Sequence, residues 1–300
     1  MLEQKVHSKP GSLVEEEQTF KQLERDYWNQ RNTMEGDITR LQKSYGRKNV
    51  LQDDWGILAY LKRIAQEPPG AKILEVAAGL GSQAIPLALQ RNFPTVVTDL
   101  AATSVAANQK AVRQLSSQAP IYFSAADADQ LPFRSASFDV VLTHAALHHL
   151  PVPRKTVREM ARCLKPGGLL VLGHEPNRLI FEPLRCVADK LGLTEKHTQR
   201  FVEGSYSVAD EETPGFWAQE LRQWMAENQL SIEWLTPIWF VNAVFYNLPV
   251  VTQLLFKTKL TIPRWMRYFG QATDQVLFAQ TPGIQNLGMF WSLGARKAIN

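Results

Sequence analysis

Between Ala71 and Gly173 the chain repeats one pattern: a short apolar run, a turn, a stretch of helical periodicity, and then the next apolar run. The runs AKILEVA, TVVTDL, IYFSA, FDVVLT and LLVLG alternate with SQAIPLALQR, SVAANQKAVRQL and RKTVREMARCL. Strands that alternate with helices require crossover connections, which are right-handed and leave the strands parallel with helices on both faces. The predicted fold class is therefore α/β, a doubly wound Rossmann-like sheet. In such a sheet ligands sit beyond the carboxyl ends of the strands, where the winding reverses. Residues that close strands carry the most weight.

The proline pair Pro68-Pro69-Gly70 marks a first boundary. Residues 1–66 read as a helical lid, with a capping box from Ser12 to Glu15 and a face made by Leu13, Phe20, Leu23 and Tyr27. A second helix is expected from Asp53 or Asp54, with Ile57, Leu58, Leu61 and Ile64 inward. Residues 67–175 form the expected core. Residues 176–300 form the expected substrate cap, mostly helical over 176–230, whose final NLGMFWSLGARK is expected to return to the sheet edge.

Composition bounds the partners. Lys+Arg 33 against Asp+Glu 29 gives +4, too little for a global field that would hold a nucleic-acid backbone. The cysteines Cys163 and Cys186 are too few for a disulfide framework or a four-thiolate zinc site, which fits a reducing compartment. The opening MLEQKVHSKP carries charges and no apolar run, so a secretory signal is not expected there. Cytoplasm is the default location.

The strongest local signal is ILEVAAGLGSQAIPLA, residues 73–88. A buried strand ends in Glu75, a small-residue turn follows through Ala77, Gly79 and Gly81, and a helix starts near Ser82. Glycines let a backbone approach a ligand closely, and the free amides of a helix start face the same crevice. Gly79-x-Gly81-x-x-Ala84 also satisfies a dinucleotide fingerprint, so a nicotinamide-dependent (NAD(P)) oxidoreductase is an open alternative. Asp99 closes the second strand, where a carboxylate can accept from both hydroxyls of a ribose. Asp127-Ala128 follow the third strand, where an acid and the next amide can read an adenine edge. A strand-ending Asp can equally cap a turn, and Glu75 can simply cap the glycine-rich turn. Lys165-Pro166-Gly167-Gly168 reads as a turn without chemistry.

Through EVAAGLG, TDL, DADQLPF, FDVVLTHAALHHL and LKPGGLLVL the chain resembles the class I S-adenosylmethionine-dependent methyltransferases. It is most similar to the small-molecule branch that includes the ubiquinone and menaquinone enzymes. The resemblance covers about residues 71–173. It implies a seven-stranded sheet, with S-adenosyl-L-methionine surrounded by Glu75, Ala77, Gly79 and Gly81 at its methionine part. It further implies Asp99 on the ribose, Leu100 against adenine, Asp127 and Ala128 on the adenine edge, and Thr143 among the cofactor contacts. One departure is visible. The first glycine of the family's acidic-x-Gly-x-Gly-x-Gly pattern is Ala77 here, which leans toward a third reading, a non-catalytic S-adenosylmethionine-binding subunit.

A sulfonium methyl is already electrophilic, so alignment of the acceptor supplies much of the catalysis and a base is useful without being obligatory. Candidate bases come from THAALHHL: His144 just after the fourth strand, then His148 and His149, with His174 beside Glu175 after the fifth. These pairs lack thiolate partners and a metal-ligand spacing, so no metal is expected. Enzymes acting on planar amines of DNA carry an Asn/Asp-Pro-Pro-aromatic turn after the fourth strand. Here the segment is Thr143-His144-Ala145-Ala146, so nucleic acid is disfavoured and a small, bulky, hydrophobic acceptor is expected, with O-methylation favoured. From Trp234 to Phe256 runs a stretch of 23 residues without a charge, followed by Lys257, Lys259, Arg264 and Arg267. Prolines and polar residues interrupt it. It reads as core or substrate cap, with peripheral membrane contact through residues 234–269 as the alternative.

Overall fold

A computed structural model describes residues 13–31, 35–46, 59–115, 118–190, 215–245, 257, 261–280 and 286–299. Seven strands form one sheet: β1 (Ile73–Glu75), β2 (Thr95–Asp99), β3 (Ile121–Ala125), β4 (Phe138–His144), β5 (Leu164–Pro176), β6 (Leu230–Ile238) and β7 (Phe290–Lys297). Their order is β3-β2-β1-β4-β5-β7-β6. The first five are parallel, and β7 runs antiparallel to both β5 and β6. The winding reverses between β1 and β4, so their carboxyl ends diverge and open a crevice.

Each strand is held by burial of its apolar side chains. Ile73 and Leu74 of β1 are fully inaccessible, as are Val140, Val141 and Leu142 of β4 and Leu169, Leu170 and Val171 of β5. Each such side chain contributes about 1.5–3 kcal/mol over an exposed one. The helices α4 (Ala84–Arg91), α5 (Ala102–Gln114) and α6 (Pro153–Cys163) make the crossovers. Asn92 stops α4 in the left-handed region at φ 54°. The Lys165-Pro166-Gly167-Gly168 segment bulges out within β5, so that Leu164 pairs with Phe138 while Leu169 pairs with Val140.

The carboxyl-terminal return differs from expectation in one respect. β7 lies inside the sheet and β6 forms the edge. Gly294 permits this, because Trp234, its partner on β6, lies across it and a Cβ there would stand 2.0 Å from the indole. Trp234 is covered in turn by the Arg63 guanidinium, 4.4 Å from the ring centre. The uncharged run is therefore divided: residues 234–238 are strand, residues 241–245 are a helical turn, and 246–256 lie outside the described residues. Among the described residues no helix is long and apolar enough to cross a membrane.

Four further helices flank the sheet outside the crossovers: α1 (Leu13–Arg31), α2 (Glu35–Tyr45), α3 (Tyr60–Ile64) and α7 (Arg178–Lys190). The chain also builds α8 (Ala218–Glu227) and α9 (Arg264–Gln280). Leu61 and Ile64 are buried on α3, as their spacing predicts, whereas Ser12, Asp53, Asp54, Ile57 and Leu58 lie outside the described residues. The expected apolar face of α1 is corrected. Leu23 is 48% exposed, and the helix docks through a polar stripe of Glu17, Lys21, Glu24 and Trp28. Lys21 Nζ lies 2.9 Å from Asp127 and 2.8 Å from Asp129, and Lys155 Nζ donates to Glu17 at 2.9 Å. Charge complementarity with residues distant in the chain outweighs a weak local apolar periodicity.

Candidate active site

The turn after β1 is built by its own acid. Glu75 is buried, and its carboxylate accepts from Ser82 Oγ, from the Gln83 amide at 2.8 Å and from the Ala84 amide at 2.9 Å. These are the amides that the start of α4 leaves without helical partners, so Glu75 serves as the cap of that helix. It is not among the residues that line the cavity described below. Burial pushes its carboxyl above the ordinary range, against the hydrogen bonds from Ser82 and the two amides.

Beyond Glu75 the backbone folds over itself with positive φ at Ala77 (54°), Gly79 (54°) and Gly81 (128°). Ala77 thus adopts the left-handed conformation that a glycine would take more cheaply, by about 1–2 kcal/mol. A Cβ on Gly79 would meet nothing within 4 Å, and one on Gly81 only Leu41 at 4.0 Å. The space beside both glycines is open, and a side chain there would fill the cradle. Asn108 of α5 fixes the turn by donating to the Gly79 carbonyl at 2.8 Å, and Tyr45 donates its hydroxyl to the Asn108 side chain.

Asp99, at the tip of β2, faces the same crevice. Its carboxylate accepts from the Gly79 amide at 2.7 Å and the Ala101 amide at 2.8 Å. A side-chain hydrogen bond from Ser104 is a third, of the roughly four that a carboxylate can accept. Burial pushes its pKa up against those amides. Leu100 lines the cavity beside it. Asp127 and Ala128 do not. Asp127 is engaged by Lys21 and by the Asp129 amide at 3.0 Å, and Ala128 is packed in the core. Thr143 is likewise buried behind the wall, its hydroxyl without a partner among the described residues. Lys21 of α1 thus ties Asp127 and Asp129 to the lid, an ion pair between groups far apart in the chain.

The histidines separate by environment. His144 lines the cavity and shares a 2.8 Å hydrogen bond through Nδ1 with the Tyr60 hydroxyl. Burial lowers its pKa to about 4. His174, at φ 58°, lies between His144 (5.5 Å, 17° between planes) and Phe290 (3.8 Å, 20°), with Nδ1 buried and without a partner among the described residues. Its pKa is pushed well down by burial. His148 is different. Its Nδ1 lies 2.8 Å from Glu175, a fully buried carboxylate that also accepts from the amides of Ala146, Leu147 and His148 at 3.0–3.2 Å. Burial would raise Glu175, yet the His148 bond and the amides hold it below the ordinary range. An ionised carboxylate only accepts, so Nδ1 carries the proton and Nε2 of a neutral His148 is an acceptor. His149 lines the cavity, with Nδ1 3.4 Å from Glu24 and its ring edge-on to Trp28 at 5.6 Å.

A neutral buried His144 has a pH consequence. The unfolded chain takes up the proton near the ordinary value of 6.5, while the folded chain resists until about 4. Stability is thus fully present above 6.5 and falls as pH drops toward 4, by about 3 kcal/mol from this residue. Urea unfolding across that interval measures it, and His144→Phe is expected to flatten the slope. An equal slope in the variant would assign the effect elsewhere.

These pieces enclose a cavity of about 310 Å³ at the switch point. Its floor is the chain from Ala77 to Gly81 with Asp99 to Ala101, its far wall His144 to Ala146 with His149 and Leu150, and its roof Glu24, Arg25 and Trp28 of α1 with Arg40 of α2. The volume lies at the lower end of the range for small-molecule sites. The roof residues escaped the sequence reading because nothing local marks a lid helix that docks by polar contacts. Among the described residues no group of three or more His, Cys, Asp or Glu is arranged to hold a metal.

Residues 74–172 match the family model described as a methyltransferase domain. The 27-O-demethylrifamycin SV methyltransferase of Amycolatopsis mediterranei is 34% identical over 111 residues, which is 35% of this chain and 38% of that protein. A demethylmenaquinone methyltransferase of Renibacterium salmoninarum is 27% identical over 185 residues, 60% of this chain and 70% of the relative. The first alignment thus spans well under half of its relative. Among solved structures, Haemonchus contortus phosphoethanolamine N-methyltransferase 2 in complex with S-adenosyl-L-methionine superposes with a TM-score of 0.54 at 16% identity, over 91% of this chain and 60% of that one. That likeness is one of fold.

Proposed function

We propose that this chain, whose residues 74–172 match the methyltransferase-domain family model, is an S-adenosylmethionine-dependent methyltransferase that transfers a methyl group to a hydroxyl of a small, bulky and largely apolar acceptor. The observation that carries this is the convergence of Asp99, the open faces of Gly79 and Gly81, and His149 on one cavity.

When bound, S-adenosylmethionine supplies an electrophilic methyl carbon on a sulfonium. The chain's own residues do the rest. The Ala77–Gly81 backbone and Asp99 hold the donor, with Asp99 accepting from ribose hydroxyls. Trp28 and the α1 roof exclude water, which strengthens each polar contact inside. His148, oriented by Glu175, accepts the acceptor's proton at Nε2, which suits an oxygen nucleophile. His148 packs on His149 of the cavity wall, with ring centres 4.3 Å apart. The neutral His144, with Tyr60, presents a surface suited to an uncharged, planar acceptor. The apolar lining of Trp28 and Leu150 supports that acceptor class, as do the demethylrifamycin and demethylmenaquinone in the names of two relatives.

Asp99→Ala is expected to weaken binding of S-adenosylhomocysteine by about one to two orders of magnitude in titration calorimetry, since each 1.4 kcal/mol is tenfold. Asp99→Asn, which keeps one acceptor oxygen, should lose less. Unchanged affinity in both variants would remove the ribose assignment. The acceptor itself is found by incubating extract with isotopically labelled methyl donor and searching for labelled products by mass spectrometry. Label appearing only on nitrogen or carbon would overturn the O-transfer reading.

A further inference from the structure

Three non-glycine residues with left-handed backbone meet beside the cavity: Ala145 (φ 49°), His174 (φ 58°) and Trp239 (φ 64°). The Ala145 amide donates to the Gly173 carbonyl at 2.7 Å, and the Trp239 ring stands edge-on to that of His174 at 5.5 Å. For a bulky residue such as Trp this conformation is a genuine outlier, and strain of this kind persists only where the surrounding structure enforces it. His174 also lies in a bulge, since the β5–β7 register shifts between Leu172 and Glu175. Bulges re-aim side chains. In a regular strand consecutive side chains point to opposite faces; here both reach the end of β4. Glu175 accepts from the amides of Ala146, Leu147 and His148, while the His174 ring lies against that of His144.

The result is a column of near-parallel rings. His174 lies 5.5 Å from His144 with 17° between planes, and 3.8 Å from Phe290 with 20°. Trp239 stands edge-on to Phe290 as well, at 5.8 Å, and Phe181 flanks Phe290 at 5.3 Å. Among these rings His144 lines the cavity, so the column ends on the site. The His174 Nδ1 is buried and has no partner among the described residues. A charged imidazolium would need an acceptor at both nitrogens, so His174 is neutral and stacks as a π-system. Aromatic pairs in stacked or edge-on contact contribute beyond the area they bury.

We propose that His174 is a positioning residue that sets acceptor preference. It backs His144 with a fixed ring, so the cavity wall at His144 is a rigid stacking surface, which favours an acceptor with a flat aromatic face over a saturated one of the same size. This role rests on the methyltransferase reading above and adds to it the residue that selects the acceptor.

Calorimetric titration of the full chain, saturated with S-adenosylhomocysteine, with 2-naphthol and with its saturated counterpart decahydro-2-naphthol tests this role. On buried apolar area alone the saturated alcohol would bind at least as tightly. The expected result is that 2-naphthol binds about three- to tenfold more tightly, the effect of one aromatic pair. In His174→Leu, which keeps bulk and removes the ring, that ratio should fall to about one, with affinity for S-adenosylhomocysteine unchanged. His174→Phe should restore it. A merely structural role would weaken both alcohols together and leave the ratio as it was. The assignment is overturned if the parent chain binds the two alcohols equally or binds neither, outcomes that need no variant to fold. It is also overturned if the ratio is unchanged in His174→Leu, or if His174→Phe behaves like His174→Leu. Loss of discrimination with S-adenosylhomocysteine still bound removes this role alone, whereas a parent chain that does not bind S-adenosylhomocysteine removes the methyltransferase reading and this role with it.

Discussion

His148→Ala is expected to lower kcat by about 10²–10⁴-fold on the acceptor identified by labelling, with affinity for S-adenosylhomocysteine unchanged. The expectation rests on how His148 is held. Glu175 is buried and already satisfied by three backbone amides, so it has one strong remaining partner, the Nδ1 proton. That bond fixes the tautomer and leaves Nε2 as the accepting nitrogen. Glu175→Gln replaces an acceptor-only group with one that carries donors facing three amides, so it should reduce kcat and also destabilise the chain. The contrast with His149→Ala is decisive. His149 lines the cavity while His148 does not, so retained turnover in His148→Ala together with loss in His149→Ala would move the base by one residue.

The largest effect on folding is expected at Glu75. Removing its carboxylate in Glu75→Ala leaves the Ser82 hydroxyl and the Gln83 and Ala84 amides without their acceptor in a buried site. Each orphaned donor costs about 1–3 kcal/mol, and the sum is less than additive, so a loss of about 3–5 kcal/mol is expected in urea unfolding. That is a large share of the 5–15 kcal/mol typical of a domain. Because the cap fixes the start of α4 and the turn before it, cofactor affinity should fall as well. Glu75→Gln should lie between the two. A change under about 1 kcal/mol in Glu75→Ala would show that the turn is held by Asn108 and packing instead.

These residues mark how far the chain can be read without coordinates. The β/α alternation, the switch-point turn at Ala77 to Gly81 and Asp99 at a strand tip were legible because each depends on local pattern: period, small residues and position after a strand. Glu75 was legible as important but ambiguous in role, since capping and ligand binding demand the same carboxylate at the same spacing. Asp127 was read by analogy with its neighbours on the strand tips, and nothing near it in sequence announces Lys21, 106 residues away. The histidines were visible as a cluster, yet their chemistry differs only through burial and partners. His144 meets Tyr60, His174 meets Phe290, and His148 meets Glu175, all contacts made across strands or from other elements.

Sequence alone therefore determined the sheet, its switch point, and the residue types available there. Periodicity and turn chemistry act over a few residues, and the handedness of crossovers carries that local information to the level of topology. Tertiary structure decided which carboxylate caps a helix and which lines the cavity, which imidazole is oriented by a buried carboxylate, and that the lid docks through charge. Those outcomes depend on desolvation and on hydrogen bonds between groups far apart in the chain, quantities that come into being only when the elements pack.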